Sequence, residues 1–311
     1  MPRRPTVLVA TTEGCLPFTH GEPGTPELPG RQVGPLAPEP SGACLAVIDG
    51  TAVWRRSGTG VWSPVVDVGI AVQSIAVIDG TILVGGMGDA VVLRIAATGA
   101  AATGAVERLD GFDRVPGRET WFAGGPPLGV RSLTAAMHGT ALLAAVHVGG
   151  IPRSVDGGAS WIPTIPVMYD VHEVHAHPDR SLLVAAAAAV GLCVSIDGGV
   201  AWTVLAEGLD GMTCLAVAVL PDEVLFSVQD GPFATRSQVW RWPIGGTHIE
   251  PVRDGLPAWF DGKVDTGWIA TGQGRAAIID GGGNLWCSRS GSTGWERVAA
   301  HVPNVLGLAI V

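Results

Sequence analysis

The chain has 311 residues, of which 47% are hydrophobic and only 15% are charged, and it contains 45 glycines and 23 prolines. Its apolar content is too high for a disordered chain, and 19 Lys and Arg against 28 Asp and Glu give a formal net charge of −9. This charge argues against sequence-independent binding of nucleic acid or of an anionic membrane, which needs clustered cations, and leaves cationic and neutral ligands open.

The first residues and the cysteines bear on cellular location. Residues 1–13 are basic and then apolar, but the apolar piece is too short for the core of a signal peptide. The longest weakly polar run, 182–190, is about half of a membrane span. Five scattered cysteines without a CxxC pair indicate buried thiols in a reducing compartment. We therefore expect a cytoplasmic protein that does not bind membranes.

Short predicted strands follow one another along the whole chain. They are runs of four to eight Val, Ile, Leu and Ala residues bounded by Asp-Gly or Pro-Asp turns, and no window of 12 or more residues carries a helical apolar stripe. The strands group into units of about 44 residues. In chain order the units are 6–36, 41–67, 72–109, 130–163, 171–205, 212–256 and 264–299, with a last strand at 304–311.

Three segments do not fit this strand pattern. The proline-rich stretch 23–40 is interpreted as a surface loop around the first unit. Segments 111–130 and 251–268 are longer than a turn needs, and each precedes the first strand of a unit. They contain Trp121 and Trp259, which we consider either as aromatic rings that stack on a ligand or as seals between units.

The units repeat one another in sequence. Residues 153–161 (RSVDGGASW) return as 194–202 (VSIDGGVAW), so that Trp161 and Trp202 lie 41 residues apart. Segments 47–62 and 278–295 form a second matching pair. Four antiparallel strands per unit, repeated about seven times, predict an all-β fold, a single seven-bladed β-propeller domain over residues 1–311. The strand 304–311 is expected to pair with residues 6–12 and close the ring, which removes open sheet edges.

The repeated motif Ser-x-Asp-x-Gly-x-x-Trp resembles the Asp-box of BNR-type repeats, found in sialidases, sortilin-type receptors and propellers of the photosystem-assembly-factor kind. The matching residues are Ser154, Asp156, Gly158 and Trp161, and Ser195, Asp197, Gly199 and Trp202. The resemblance implies a structural role, in which the aspartate accepts hydrogen bonds from amides of its own turn. The family's sialidases need an arginine triad, a Tyr-Glu pair and an Arg-Ile-Pro-like motif. The chain has one tyrosine and no Phe-Arg-Ile-Pro, so sialidase activity is not expected.

The first strand of each blade lines the channel of a propeller, and polar residues recur near the start of these strands. They are Gln73, Arg131, His172, Thr213, Asp265 and Asn304. Such a ring at one channel mouth predicts a site for a small polar ligand, with a water-lined pore as the alternative. Trp121 and Trp259 are expected near its rim.

Histidines cluster at 172–177, where alternation places His175 and His177 on one face of a strand. Two such histidines can ligate a metal, with His138 or His147 as a third ligand. The resemblance to BNR-type propellers implies a role without metal, because those propellers carry histidines at these points without an assigned metal. The sequence thus does not firmly imply any cofactor, and it leaves open whether the protein binds a divalent metal.

Two classes of function remain. The first is a non-catalytic, monomeric propeller that binds a protein partner or a small polar ligand at the channel mouth. The alternative is a lyase or hydrolase in which His172 is the base while Arg131 and Asp265 position the substrate, or in which a bound metal is the Lewis acid. An enzyme requires these three side chains to converge on one cavity.

Overall fold

The computed structural model describes residues 5–96, 104–122, 127–231 and 233–311. Regular structure in these ranges is β-strand, apart from single 3₁₀ turns at Phe112–Arg114, Arg118–Thr120 and Val167–Tyr169. Over the same ranges, no helix is long and apolar enough to cross a membrane.

The first half of the chain forms fifteen strands in the described ranges. In chain order they are β1 (Thr6–Thr11), β2 (Gly14–Thr19), β3 (Glu22–Pro23), β4 (Val33–Pro38), β5 (Cys44–Ile48), β6 (Ala52–Arg56), β7 (Trp62–Asp67), β8 (Val72–Ile78), β9 (Thr81–Gly86), β10 (Val92–Ile95), β11 (Val106–Arg108), β12 (Val130–Ala136), β13 (Ala141–Val146), β14 (Pro152–Ser154) and β15 (Ile162–Pro163).

The second half continues the same succession of short strands. They are β16 (Val171–Ala176), β17 (Val184–Ala188), β18 (Gly191–Ser195), β19 (Thr203–Leu205), β20 (Val217–Val219), β21 (Glu223–Gln229), β22 (Arg236–Pro243), β23 (Glu250–Pro251), β24 (Phe260–Asp261), β25 (Ile269–Gly272), β26 (Arg275–Ile279), β27 (Leu285–Cys287), β28 (Glu296–Ala299) and β29 (Val305–Ile310).

These strands form seven antiparallel sheets, the blades of a propeller. The first blade has the order β29-β1-β2-β3, and blades two to seven follow in chain order, each built from four consecutive strands; β24 adds to the sixth blade by pairing with β22. The inner strands β29, β4, β8, β12, β16, β20 and β25 contact one another around the central channel. The predicted all-β, seven-bladed propeller is therefore confirmed.

The ring closes where the two ends of the chain meet. β29 pairs antiparallel with β1, with Val7 opposite Ile310 and Val9 opposite Leu308. Backbone hydrogen bonds in both directions between Thr6 and Val311 extend this ladder. The predicted pairing is confirmed, and it supplies the inner strand that the first unit lacks.

The interpretation of 23–40 as a loop is wrong for Val33–Pro38, which forms β4, the inner strand of the second blade. Val33 is fully buried and Ala37 is 5% exposed. The prolines obscure the strand pattern in the sequence, but Pro35 lies in the register shift between Val33 and Leu36, where the ladder with β5 is interrupted. The first unit thus ends before Val33, and the second blade begins there.

The core lies between the blades. One hydrophobic cluster fills each of the seven interfaces between neighbouring blades, and alternate residues of each strand enter the cluster on either side. This explains the near-continuous apolar runs such as β17, whose five residues are all buried.

Candidate functional site

The inner strands run in the same direction, so the channel has an upper end, where they begin, and a lower end, where they finish. At the upper end of β8, β12 and β16 a β-bulge interrupts the pairing with the next strand. The residues left unpaired are Gln73, Arg131 and His172, which therefore occupy equivalent positions in three successive blades.

The other three ring residues do not share this register. In the first blade the residue skipped by the bulge is Leu306, and Asn304 precedes the strand. Thr213 forms an isolated bridge with Gln229 ahead of β20, and Asp265 precedes β25. The equivalent positions inferred from the sequence are thus found in three blades, at Gln73, Arg131 and His172. Asn304, Thr213 and Asp265 lie in segments that precede the inner strands of their blades.

Arg131 and Asp265 meet across the channel. The Arg131 guanidinium, from the fourth blade, donates a hydrogen bond of 2.8 Å to the Thr266 hydroxyl of the seventh and lies 3.5 Å from Asp265 Oδ1. Lys263 Nζ is 2.5 Å from Asp265 Oδ2. Burial alone would raise the pKa of Asp265, but the hydrogen bond from Lys263 and the positive charges of Lys263 and Arg131 outweigh it and lower that pKa.

A second group of titratable side chains lies beside them at the junction of the fourth and fifth blades. Asp170 Oδ1 is 3.4 Å from His147 Nε2, and Asp170 Oδ2 is 3.5 Å from His172 Nε2. Burial lowers the pKa of His147 despite the Asp170 charge, and the nearby Arg131 lowers it further. Burial by itself would raise the pKa of Asp170, but the two histidines overcome this and lower it.

The histidine pair considered as a metal site, His175 and His177, makes other contacts. His177 Nε2 is 3.0 Å from the Pro221 carbonyl, and Nδ1 accepts hydrogen bonds from the backbone amides of Asp179 and Arg180. Both ring nitrogens are thereby used within the protein. His175 Nε2 instead contacts Glu173 Oε1 at 3.1 Å.

The two tryptophans differ in exposure. Trp121 is 8% exposed and packs between the third and fourth blades against Phe112, with Arg118 over its ring, so it seals an interface and offers no free ring face at a rim. Trp259 is half-buried, and the Arg236 guanidinium lies 4.0 Å from its ring centroid. Residues 123–126 of the long segment 111–130 lie outside the described residues.

The lower half of the channel holds a cavity of about 630 Å³. All seven inner strands contribute to its wall, and its polar lining includes Thr134, Glu173, His175 and Thr271. None of the eight residues predicted to bind a ligand lines this channel cavity. The sequence prediction therefore placed the site at the upper end of the channel, whereas this cavity opens toward the lower end.

Glu173 divides the channel cavity from the upper end. Its Oε1 accepts a hydrogen bond of 3.1 Å from the Gly267 amide across the channel, and Oε2 accepts one of 2.9 Å from the Val217 amide of the neighbouring sixth blade. The side chain is 5% exposed. The sequence analysis missed it, because a glutamate in an alternating strand gives no sign that it points into a channel. Its buried carboxylate, with no Lys or Arg among the described residues of the cavity wall, favours ligands that are cationic or donate hydrogen bonds.

The two Asp-Gly-Gly turns are held by hydrogen bonds of one pattern. Ser195 Oγ accepts from the Gly199 amide at 2.8 Å, and Asp197 Oδ1 accepts from the amides of Val200 and Ala201 at 3.0 Å. Gly198 and Gly199 both have positive φ, at 74° and 84°, which a residue with a side chain rarely adopts.

The equivalent turn in the fourth blade makes most of the same contacts. Asp156 accepts hydrogen bonds from the hydroxyl and amide of Ser160, and Ser154 Oγ accepts one from Gly158. The Ser160 hydroxyl, followed by the Ser160 amide and Ser154, lowers the pKa of Asp156 to about 2. Trp161 is 3% exposed and packs edge-on against Phe112.

Comparison with known proteins supports the fold. No protein-family model matches the chain, and no curated protein matches it in sequence. Among solved structures, an ancestral GH74 enzyme superposes with a TM-score of 0.62 at 14% identity, covering 100% of this chain and 40% of that one. The GH74 xyloglucanase from Xanthomonas campestris gives 0.61 at 18% identity, covering 93% and 46%.

A structure of YCF48 bound to D1 peptide gives a TM-score of 0.59 at 15% identity and covers 89% of this chain and 91% of that one. The chain spans less than half the length of the two GH74 enzymes. At these identities the likeness shows the propeller fold alone, and the neighbours include both enzymes and a peptide-binding protein.

Proposed function

We propose that this chain is a non-catalytic binding propeller that holds a small polar ligand in the channel cavity. The observation that carries the proposal is the cavity of about 630 Å³, walled by all seven inner strands. This volume lies within the roughly 300–1,000 Å³ of small-molecule sites. The buried carboxylate of Glu173 and the absence of Lys and Arg from the described wall favour a ligand with an ammonium or another hydrogen-bond donor.

The upper end supports binding less well, because its charged groups are paired with one another. Arg131 is bound to Thr266 and Asp265, and Asp265 is bound to Lys263. The same pairing disfavours the lyase or hydrolase alternative, because Arg131 and Asp265 contact each other and are less free to position a substrate. In addition, none of the three side chains assigned to that reaction lines the channel cavity. The peptide complex of YCF48 supports a binding role of the fold, with a protein partner as the second candidate.

The test is a screen of small amines and polyols by thermal shift, followed by calorimetric titration of each hit. His175→Ala removes an imidazole from the cavity wall and should weaken binding at least tenfold. His248→Ala, at an exposed position, is the matched control. Weakened binding in Arg131→Ala and Gln73→Ala, with His175→Ala unchanged, would place the site at the upper end instead.

We further propose that the two Asp-Gly-Gly turns are structural Asp-boxes. Their conserved hydrogen-bond pattern in two blades supports this role. A ligand identified in the screen should bind Asp197→Asn as it binds the wild type, provided that both are measured below the melting transition. Loss of binding in a folded Asp197→Asn variant would assign these turns a role in recognition.

A further inference from the structure

Three potential metal ligands converge at the upper end of the channel, apart from the channel cavity. His147 follows β13, Asp170 precedes β16, and His172 is the bulged residue of β16. One ligand atom from each lies within 4.8 Å of the other two. The side chains of His147 and His172 are 10% and 7% exposed and that of Asp170 is 30% exposed, so the two imidazoles are shielded from water while the carboxylate can be reached from solvent.

The hydrogen bonds of His172 fix which of its nitrogens faces Asp170. Nδ1 is 2.7 Å from the Cys214 carbonyl, which can only accept, so Nδ1 carries the proton. In the neutral ring Nε2 then carries a lone pair, which faces Asp170 Oδ2 at 3.5 Å. Two acceptors in this arrangement repel each other unless a second proton or a metal cation lies between them. A backbone carbonyl on the far nitrogen is also the usual outer contact of a metal-bound histidine.

Two atoms of the cluster lack any hydrogen-bond partner. Asp170 Oδ1 and His147 Nδ1 are buried and make no hydrogen bond, although Oδ1 lies 3.4 Å from His147 Nε2. The backbone of Asp170 adopts a left-handed conformation with φ of 50°, which holds its carboxylate between the two imidazoles. Buried polar atoms are rarely left unsatisfied, and an ion bound at Oδ1 would satisfy one of them.

We propose that His147, Asp170 and His172 bind a first-row divalent transition-metal ion, with Zn²⁺ as the best-fitting representative. Tetrahedral Zn²⁺ with bonds of about 2.1 Å to nitrogen and oxygen requires ligand atoms about 3.4 Å apart. In the cluster the two imidazole Nε2 atoms lie 3.4 and 3.5 Å from different oxygens of Asp170, and one ligand atom of each residue lies within 4.8 Å of the other two, so small side-chain movements bring the three atoms to this spacing. Two imidazoles and one carboxylate favour such an ion over Mg²⁺ or Ca²⁺, which prefer oxygen ligands. Three protein ligands leave a fourth position for water or a ligand.

The neighbouring charges are compatible with this site. The Arg131 charge acts on His147 and disfavours a second cation there. It is compensated by Asp265, which lies 3.5 Å from the guanidinium. The site does not depend on the proposed function of the channel cavity, because no member of the cluster lines that cavity.

The test is calorimetric titration of ZnCl₂ into the full chain after removal of metal by a chelator. We expect one Zn²⁺ per chain. Asp170→Asn and His147→Gln, which keep polar side chains of similar size, should each lower the affinity by at least about 10–100-fold, the loss typical when only an outer contact of a metal ligand is removed. Asn is tolerated in the left-handed region, so Asp170→Asn preserves the backbone. His248→Ala, at an exposed histidine, should bind as the wild type does.

Cobalt provides a second readout that does not depend on affinity. Co²⁺ added to the wild type should give the intense visible absorption of a tetrahedral ion, and Asp170→Asn should abolish it. The proposal is overturned if the folded wild type binds no Zn²⁺, as expected if a second proton on His172 bridges to Asp170. It is equally overturned if both variants bind Zn²⁺ with unchanged affinity, because the ion would then lie elsewhere.

Discussion

Arg131 of the fourth blade donates a hydrogen bond of 2.8 Å to the hydroxyl of Thr266 in the seventh blade. Two blades lie between them around the ring, so this bond crosses the channel instead of joining neighbours. Together with the bond from Gly267 to Glu173, it ties the two sides of the propeller at the upper end.

We predict that the cross-channel bond contributes to stability. Arg131→Met should lower the free energy of unfolding by about 1–3 kcal/mol, because a partly buried, charge-assisted hydrogen bond is lost. In a double-mutant cycle with Thr266→Val, urea unfolding should give a coupling of at least about 0.5 kcal/mol. Arg180→Met removes a pair with the exposed Asp222 and should cost less than about 0.5 kcal/mol. A coupling near zero would mean that the contact does not hold the blades together.

Removal of residues 303–311 should destabilise the propeller severely. The deletion takes away β29, exposes the inner edge of β1 and removes the buried side chains of Leu308 and Ile310, each worth about 1.5–3 kcal/mol. The melting temperature, measured by circular dichroism, should fall by well over 5 °C. An unchanged melting temperature would show that the ring does not depend on this closure.

Ser195→Ala should cost about 1–3 kcal/mol in the free energy of unfolding. The serine is 1% exposed, and its hydroxyl accepts the hydrogen bond of the buried Gly199 amide, which alanine leaves unpaired. Ser63→Ala, at an exposed strand position, is the control and should stay within about 0.5 kcal/mol. Equal stability of the two variants would show that water satisfies the Gly199 amide.

Asp156 should contribute to stability at neutral pH and lose that contribution in acid. Its pKa falls from 3.8 in the unfolded chain to about 2 in the fold, so the folded state favours the ionised form. The contribution is complete above about pH 5 and is lost progressively as the pH falls toward about 1. The melting temperature of the wild type should exceed that of Asp156→Asn at pH 6, and most of the difference should be lost by pH 2.

Ser160→Ala separates this effect from general acid unfolding. It removes the strongest hydrogen bond to Asp156 and should give a pH profile between those of the wild type and Asp156→Asn. If the difference between wild type and Asp156→Asn stays constant between pH 6 and pH 2, the turn does not depend on the ionised carboxylate.

The sequence by itself determined the blade count, the ring closure and the position of the Asp-Gly-Gly turns. The blade count and the turns are local features, because they follow from apolar runs, turn residues and their spacing within about 44 residues. The ring closure followed instead from an unpartnered strand at each end of the chain. Proline concealed one strand, β4, since a residue that cannot donate to a ladder removes the strand signal even where a bulge tolerates it.

Only the tertiary structure decided which side chains meet. Arg131 and Thr266 lie 135 residues apart, and the equivalent bulges of β8, β12 and β16 are visible only as shifts in pairing with the next strand. Asp170 joins His147 and His172 because a left-handed residue turns its carboxylate between two blades. Contacts across a ring depend on the closure of all seven blades, so no pattern within a single repeat encodes them.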